Sequence, residues 1–157
     1  MAAFSLRHWS ARHAGGLEKI YLLFSNVLIR LAPVLRLIGY SRLERPVAFL
    51  EKQVKGVLFD CQMCGQCELK NTGMTCSMNC PKNIRNGPCG GVRSDGHCEV
   101  EPDMPCVWVE AWAGSQRMTY GRNLDQVLPA VDRRYIGTSA WLRWMRSQSP
   151  GSEETKQ

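Results

Sequence analysis

All eight cysteines of this 157-residue chain, Cys61, Cys64, Cys67, Cys76, Cys80, Cys89, Cys98 and Cys106, are confined to one block between residues 61 and 106. Sulfur at that density has three uses: disulfides, zinc or iron–sulfur clusters. Disulfides need an oxidising compartment and therefore an export signal. The N-terminal segment is basic, but Glu18 and Lys19 precede its apolar part, Arg30 and Arg36 interrupt it, and no small-residue cleavage site follows. Those features argue against a secretory signal and against a spanning helix, which needs about 20 mostly apolar residues. Residues 1–17 contain Arg, Ser and His but no acid, a composition close to a mitochondrial presequence. A cytoplasmic location with reduced thiols is the expectation.

Thiolates then select zinc or iron–sulfur, and their spacing separates the two. Structural zinc sites are commonly built from two cysteine pairs. Here Cys61, Cys64 and Cys67 form a C-x2-C-x2-C triplet, the habit of a cubane [4Fe–4S] cluster, and Cys80-Pro81 supplies the other ingredient of the bacterial ferredoxin run. Twelve residues separate Cys67 from Cys80, so it is not that run itself. The triplet is expected to share one site. Eight thiolates suffice for one or two [4Fe–4S] clusters, with zinc as the alternative, and spacing does not divide the remaining five. Gly65, Gly90 and Gly91 let amide N–H groups approach sulfur, while Lys70, Lys82, Arg85 and Arg93 can offset cluster charge.

Other chemistry is sparse. No Ser/His/Asp set, no phosphate-cradling glycine loop at a helix start and no paired carboxylates around a pocket can be found. His97, beside Cys98, reads as a solvent-facing turn residue, and the GPCGG run as wrapping for a cluster. Residues 1–59 hold nine Lys/Arg against three Glu, whereas residues 60–157 hold eleven of each sign. The basic surface therefore belongs to the N-terminal part. The cysteine block is electrically balanced and its aromatics are not interleaved with bases, which opposes nucleic-acid binding.

The elements that must position these sulfurs are helical. Residues 1–15 read as a loose leader ending in the flexible break Ala14-Gly15-Gly16. Leu17, Ile20, Tyr21, Phe24, Leu28 and Leu31 recur at helical spacing, and Pro33 should kink or end that helix. This apolar arm is wider than one face, so it packs on its own domain, docks on a partner, or contacts a membrane surface peripherally. Partner docking is the reading preferred from sequence, with residues 1–40 dispensable for metal binding. A second helix is expected from Pro46 to about Leu58, with Glu51 and Lys55 as a favourable pair one turn apart. Ser94-Asp95-Gly96 suggests a tight turn in one short hairpin from Gly91 to Val100. Cys106 to Trp112 reads as a helix with Trp108 and Trp112 as stacked cover, and Ala140 to Arg146 as a last helix capped by Thr138 or Ser139. The fold class is thus a small α-rich, loop-dominated iron–sulfur domain: residues 1–45 as leader and amphipathic docking arm, 46–146 as the metal-cluster domain, and 147–157 as a disordered tail.

Three stretches, CQMCGQC from Cys61, CPKNIRNGPCGG from Cys80, and GHCEV followed by CVW from Gly96 to Trp108, resemble the C-terminal domain family of methylenetetrahydrofolate reductase. The likeness spans roughly residues 45–145, with Ser77 standing where that family often has proline. It implies cysteine-ligated [4Fe–4S] chemistry and a barrel partner subunit that holds flavin and acts on the one-carbon unit of tetrahydrofolate. It implies a non-catalytic or electron-transfer subunit of an oxidoreductase complex. The competing expectation is a zinc-stabilised protein- or nucleic-acid-binding module without a redox role.

Overall fold

The computed structural model describes residues 2–87, 89–121 and 124–148. Among them are five α-helices: α1 (Ala2–Arg12), α2 (Ala14–Ile38), α3 (Tyr40–Phe59), α4 (Val107–Ser115) and α5 (Ala140–Ser147). Single 3-10 turns lie at Ser77–Asn79 and Arg133–Tyr135. Extended pairing among these residues is limited to two isolated antiparallel bridges, Val92 with Cys98 and His97 with Pro105. The expected hairpin is reduced to its turn: Arg93 N–H reaches the His97 carbonyl at 2.9 Å, and Gly96 N–H reaches Arg93. The tail beyond Gln148 lies outside the described residues.

The expected loose leader is a helix bolted to the cysteine domain. Arg7 is 1% exposed, and its guanidinium meets Glu110 of α4 at 3.2 Å. His8 Nδ1 lies 2.5 Å from the other Glu110 oxygen, and Ser10 Oγ donates to the Leu58 carbonyl at 2.6 Å. Nor is Ala14-Gly15-Gly16 a break. Ala14 is fully buried, and a Cβ on Gly15 would run into the Arg117 carbonyl. One turn later the buried Glu18 carboxylate accepts N–H bonds from Thr119 at 2.7 Å and from Tyr120 and Gly121 at 2.8 Å each. A glutamate so placed satisfies three backbone donors at once, which is why it can be buried.

Neither proline ends a helix. Pro33 and Pro46 sit inside α2 and α3, where each deprives a carbonyl four residues back, on Ile29 and Arg42, of its N–H. Both of those residues are exposed, so water can take the vacant position. The break falls instead at Gly39, whose φ of +92° suits glycine alone. By length and composition α2 meets the requirement for a membrane-crossing helix, so Arg30 and Arg36 do not exclude that as expected. Its apolar residues divide: Leu17 and Tyr21 pack on a core of Ala14, Phe59, Leu69, Met74 and Met118, whereas Ile20 and Leu31 of the expected stripe are exposed.

A second core holds Cys80, Cys98, Met104, Cys106, Val107, Trp108 and Ala111. Of the two tryptophans expected as a stack, Trp108 is buried here and Trp112 is exposed. The loop before Cys76 is pinned to α4 by two glycines. A Cβ on Gly114 would strike the Gly73 backbone, and one on Gly73 would strike the Ala111 carbonyl and the Ser115 nitrogen. Helix α5 starts as expected, with Ser139 Oγ accepting the Leu142 N–H at 3.2 Å.

Candidate metal centre

Helix α3 aims the chain at its first cysteine. Asp60 adopts the left-handed conformation, its N–H bonds the Gly56 carbonyl at 3.0 Å, and the Cys61 N–H returns to Lys55 at 3.3 Å. This double closure is the usual way of turning sharply off a helix end. The following loop winds round a cavity lined by Cys61, Cys64, Cys67 and Cys76. Cys61, Cys64 and Cys67, expected to share a site, all line this cavity, and Cys76 lines it with them. Among the described residues no three His, Cys, Asp or Glu side chains converge as they would on a single metal ion. The four cysteines line one cavity. In a cubane each thiolate binds a different iron, so a surrounding arrangement is what that ligand set needs.

The surroundings shift the thiols in different directions, with Cys76 moved toward the thiolate and Cys61 and Cys67 away from it. Cys61 accepts the Met63 N–H at 3.4 Å. A hydrogen bond between the Cys61 and Cys76 thiols, followed by desolvation, raises Cys61. The same bond lowers Cys76, which is helped by the Gln62 and Met78 N–H groups. Burial pushes the Cys67 thiol up, against the pull of Lys55 and the Leu69 N–H.

Two buried cations face this cavity. Lys55, 3% exposed, lines it and pairs with Glu51 at 2.6 Å. Burial alone would lower the Lys55 pKa, but the Cys67 thiolate and Glu51 more than offset that and leave it raised. Glu51, 1% exposed, also accepts from Ser139 Oγ at 2.7 Å and from the Trp141 N–H at 3.3 Å, tying α3 to the start of α5. The Lys55 ammonium stands 5.0 Å from the centre of the Trp141 ring. The second cation, Arg85, is 8% exposed. One terminal nitrogen donates to the Gln66 carbonyl at 3.1 Å, but its Nε has no hydrogen-bond partner. A buried guanidinium without a carboxylate is costly unless negative charge sits nearby. The chemistry of the cavity therefore fits an anionic occupant ligated by thiolates.

Arg85 was legible as a charge partner, whereas Lys55 was not. Its pairing with Glu51 is real, yet it is a core pair and not a surface one. The available signal was that Glu51, Lys55 and Phe59 share a face at four-residue steps, and that this face runs straight into Cys61.

The other four sulfurs lie elsewhere. Cys80, Cys98 and Cys106 share the second core with Trp108. Cys89 accepts the Gly91 N–H at 3.4 Å and lies 3.6 Å from Lys82 Nζ, which also pairs with Glu99. Lys70 and Arg93, named from sequence with these, are not among the cavity-lining residues; Arg93 pairs with Asp95 at 3.5 Å. His97 also turns to Asp95, its N–H meeting Oδ1 at 3.0 Å.

A family model described as methylene-tetrahydrofolate reductase C terminal matches residues 40–134. The chain belongs to that family. The match to this reductase C-terminal family begins at α3 and takes in all eight cysteines and α4. No curated protein and no solved structure matches the chain. Within the reductase C-terminal family segment lie Glu51, Lys55 and Arg85; α1, α2 and α5 fall outside it.

Proposed function

We propose that the chain is an iron–sulfur accessory subunit of a methylenetetrahydrofolate reductase. It supports flavin-dependent interconversion of methylene- and methyl-tetrahydrofolate in a barrel partner that carries the flavin and folate sites. Cys61, Cys64, Cys67 and Cys76 would hold one [4Fe–4S] cluster, and Cys80, Cys89, Cys98 and Cys106 would serve a second metal group. A bound cluster supplies single-electron transfer. The chain's own residues would bury such a group, with the Met63 and Gly91 N–H groups bonding its cysteine ligands Cys61 and Cys89, and Lys55 and Arg85 would set positive charge beside it.

The observation that carries this reading is the pair of buried cations, Lys55 and Arg85, on a cavity lined by four cysteines. Membership of the reductase C-terminal family supports the choice of partner, and reduced thiols suit a cytoplasmic setting. Purification without oxygen, followed by assay of iron, acid-labile sulfide and zinc, tests the assignment. Iron with matching sulfide is expected. Full zinc occupancy without sulfide would overturn it in favour of a zinc-stabilised module.

A further inference from the structure

The apolar face of α2 and the charges around it have no use in the metal centre. Ile20, Leu23, Val27, Leu31, Val34 and Ile38 recur at steps of three and four along one side of the helix, and all are exposed. This side borders Leu17 and Tyr21, which pack inward. It continues onto α3, where Ile20 and Phe24 line one apolar groove with Leu50 and Val54. The helix meets the length and composition of a membrane segment, while its first turns are held by the protein through Leu17, Glu18 and Tyr21, an arrangement suited to lying along a bilayer.

Charge identifies the occupant. From Arg12 to Phe59 the exposed charged side chains are Arg12, Lys19, Arg30, Arg36, Arg42, Arg45 and Lys52, without an acid among them. The three acids of this segment are turned inward: Glu18 to the 119–121 backbone, Glu51 to Lys55, and Glu44 to Arg146 and the Ser139 N–H. Lys19, Leu23 and Arg30 share one edge of the apolar side, where long basic side chains can reach headgroups while the stripe enters the acyl boundary.

We infer that α2 and the adjoining face of α3 dock the protein on an anionic lipid surface. The inference is independent of which metal the cysteines hold.

The full chain, purified without oxygen, is mixed with vesicles of equal parts phosphatidylglycerol and phosphatidylcholine, or of phosphatidylcholine alone, and sedimented. It should partition onto the anionic vesicles and be released by salt. Lys19→Glu with Arg30→Glu should weaken that partition about tenfold or more, and Leu23→Ser with Val27→Ser should abolish it. All four positions are exposed, and circular dichroism and metal content are expected to match the parent chain. Absence of binding, equal binding to both vesicle types, or unchanged binding by either double variant would overturn the inference. So would loss of co-purification with a flavin-containing reductase subunit in the serine variant when the parent chain ignores vesicles, since the face would then be a protein interface.

Discussion

The Glu18 carboxylate on α2 accepts the backbone N–H of Gly121 at 2.8 Å across 103 residues of sequence. Together with the Thr119 and Tyr120 bonds, this fastens the N-terminal helices to the segment that follows α4. Glu18→Ala should therefore destabilise the fold by about 3 kcal/mol, because three buried donors lose a charged acceptor. Denaturant melts of the two proteins check this. A change below about 0.5 kcal/mol, the scale of an ordinary surface substitution, would show the cap to be dispensable.

Removal of residues 1–40 was expected from sequence to spare metal binding. The structure leads to the opposite expectation. That deletion strips Arg7 and His8 from Glu110, Ala14 from the first core and Glu18 from the 119–121 turn. Metal content per chain should fall sharply, with aggregation exposing the cause. Full iron and sulfide in the truncated chain would restore the view of a separable arm.

The two sets of cysteines should behave as separate sites. Cys64→Ser is expected to remove the metal bound at the α3 end and leave that of the second core, while Cys98→Ser should do the reverse. Combining them should approach the sum of the two losses, since independent sites add. Iron, sulfide and zinc counts on the four proteins decide it, and total loss in either single variant would mean one shared site.

Arg85→Met tests the charge argument from both sides. In metal-free protein it removes a buried cation without a carboxylate, so stability should hold or rise. In loaded protein it removes positive charge beside the centre, so the midpoint potential should move to more negative values. A redox titration followed by electron paramagnetic resonance reads the second effect. Equal effects on the metal-free and loaded forms would mean that Arg85 acts only in packing.

Burial, reinforced by the negative charge of Cys67, raises Tyr21 from 10.0 to about 12. Its folded pKa exceeds the unfolded one, so its contribution is complete below pH 10 and is lost as pH rises through the folded value. Tyr21→Phe should remove that part of the alkaline loss of stability between about pH 10 and 12, at most about 2 kcal/mol. Overlapping pH–stability curves for parent and variant would refute it.

How much of this was legible beforehand differs by element. Helices α4 and α5 were, since both are short, strongly patterned and started by local signals: Pro105 before α4 and the Ser139 cap before α5. That Cys61, Cys64 and Cys67 line one cavity was legible because they recur every third residue on one loop. Helix α1 was not, because what orders it is a set of partners a hundred residues away, Glu110 above all. Pro46 marked a helix start only on the local rule, yet α3 already runs from Tyr40 through it. Cys76 could not be assigned to the triplet because loop closure, and not spacing, brings it there.

Gly73 and Gly114 meet backbone to backbone, where no side chain can swing aside to make room. The pair therefore acts as one locus in variation. Bulk at either position displaces the loop carrying Cys76 and the helix that begins after Cys106 together, so two cysteine-bearing segments share a single point of mutational fragility.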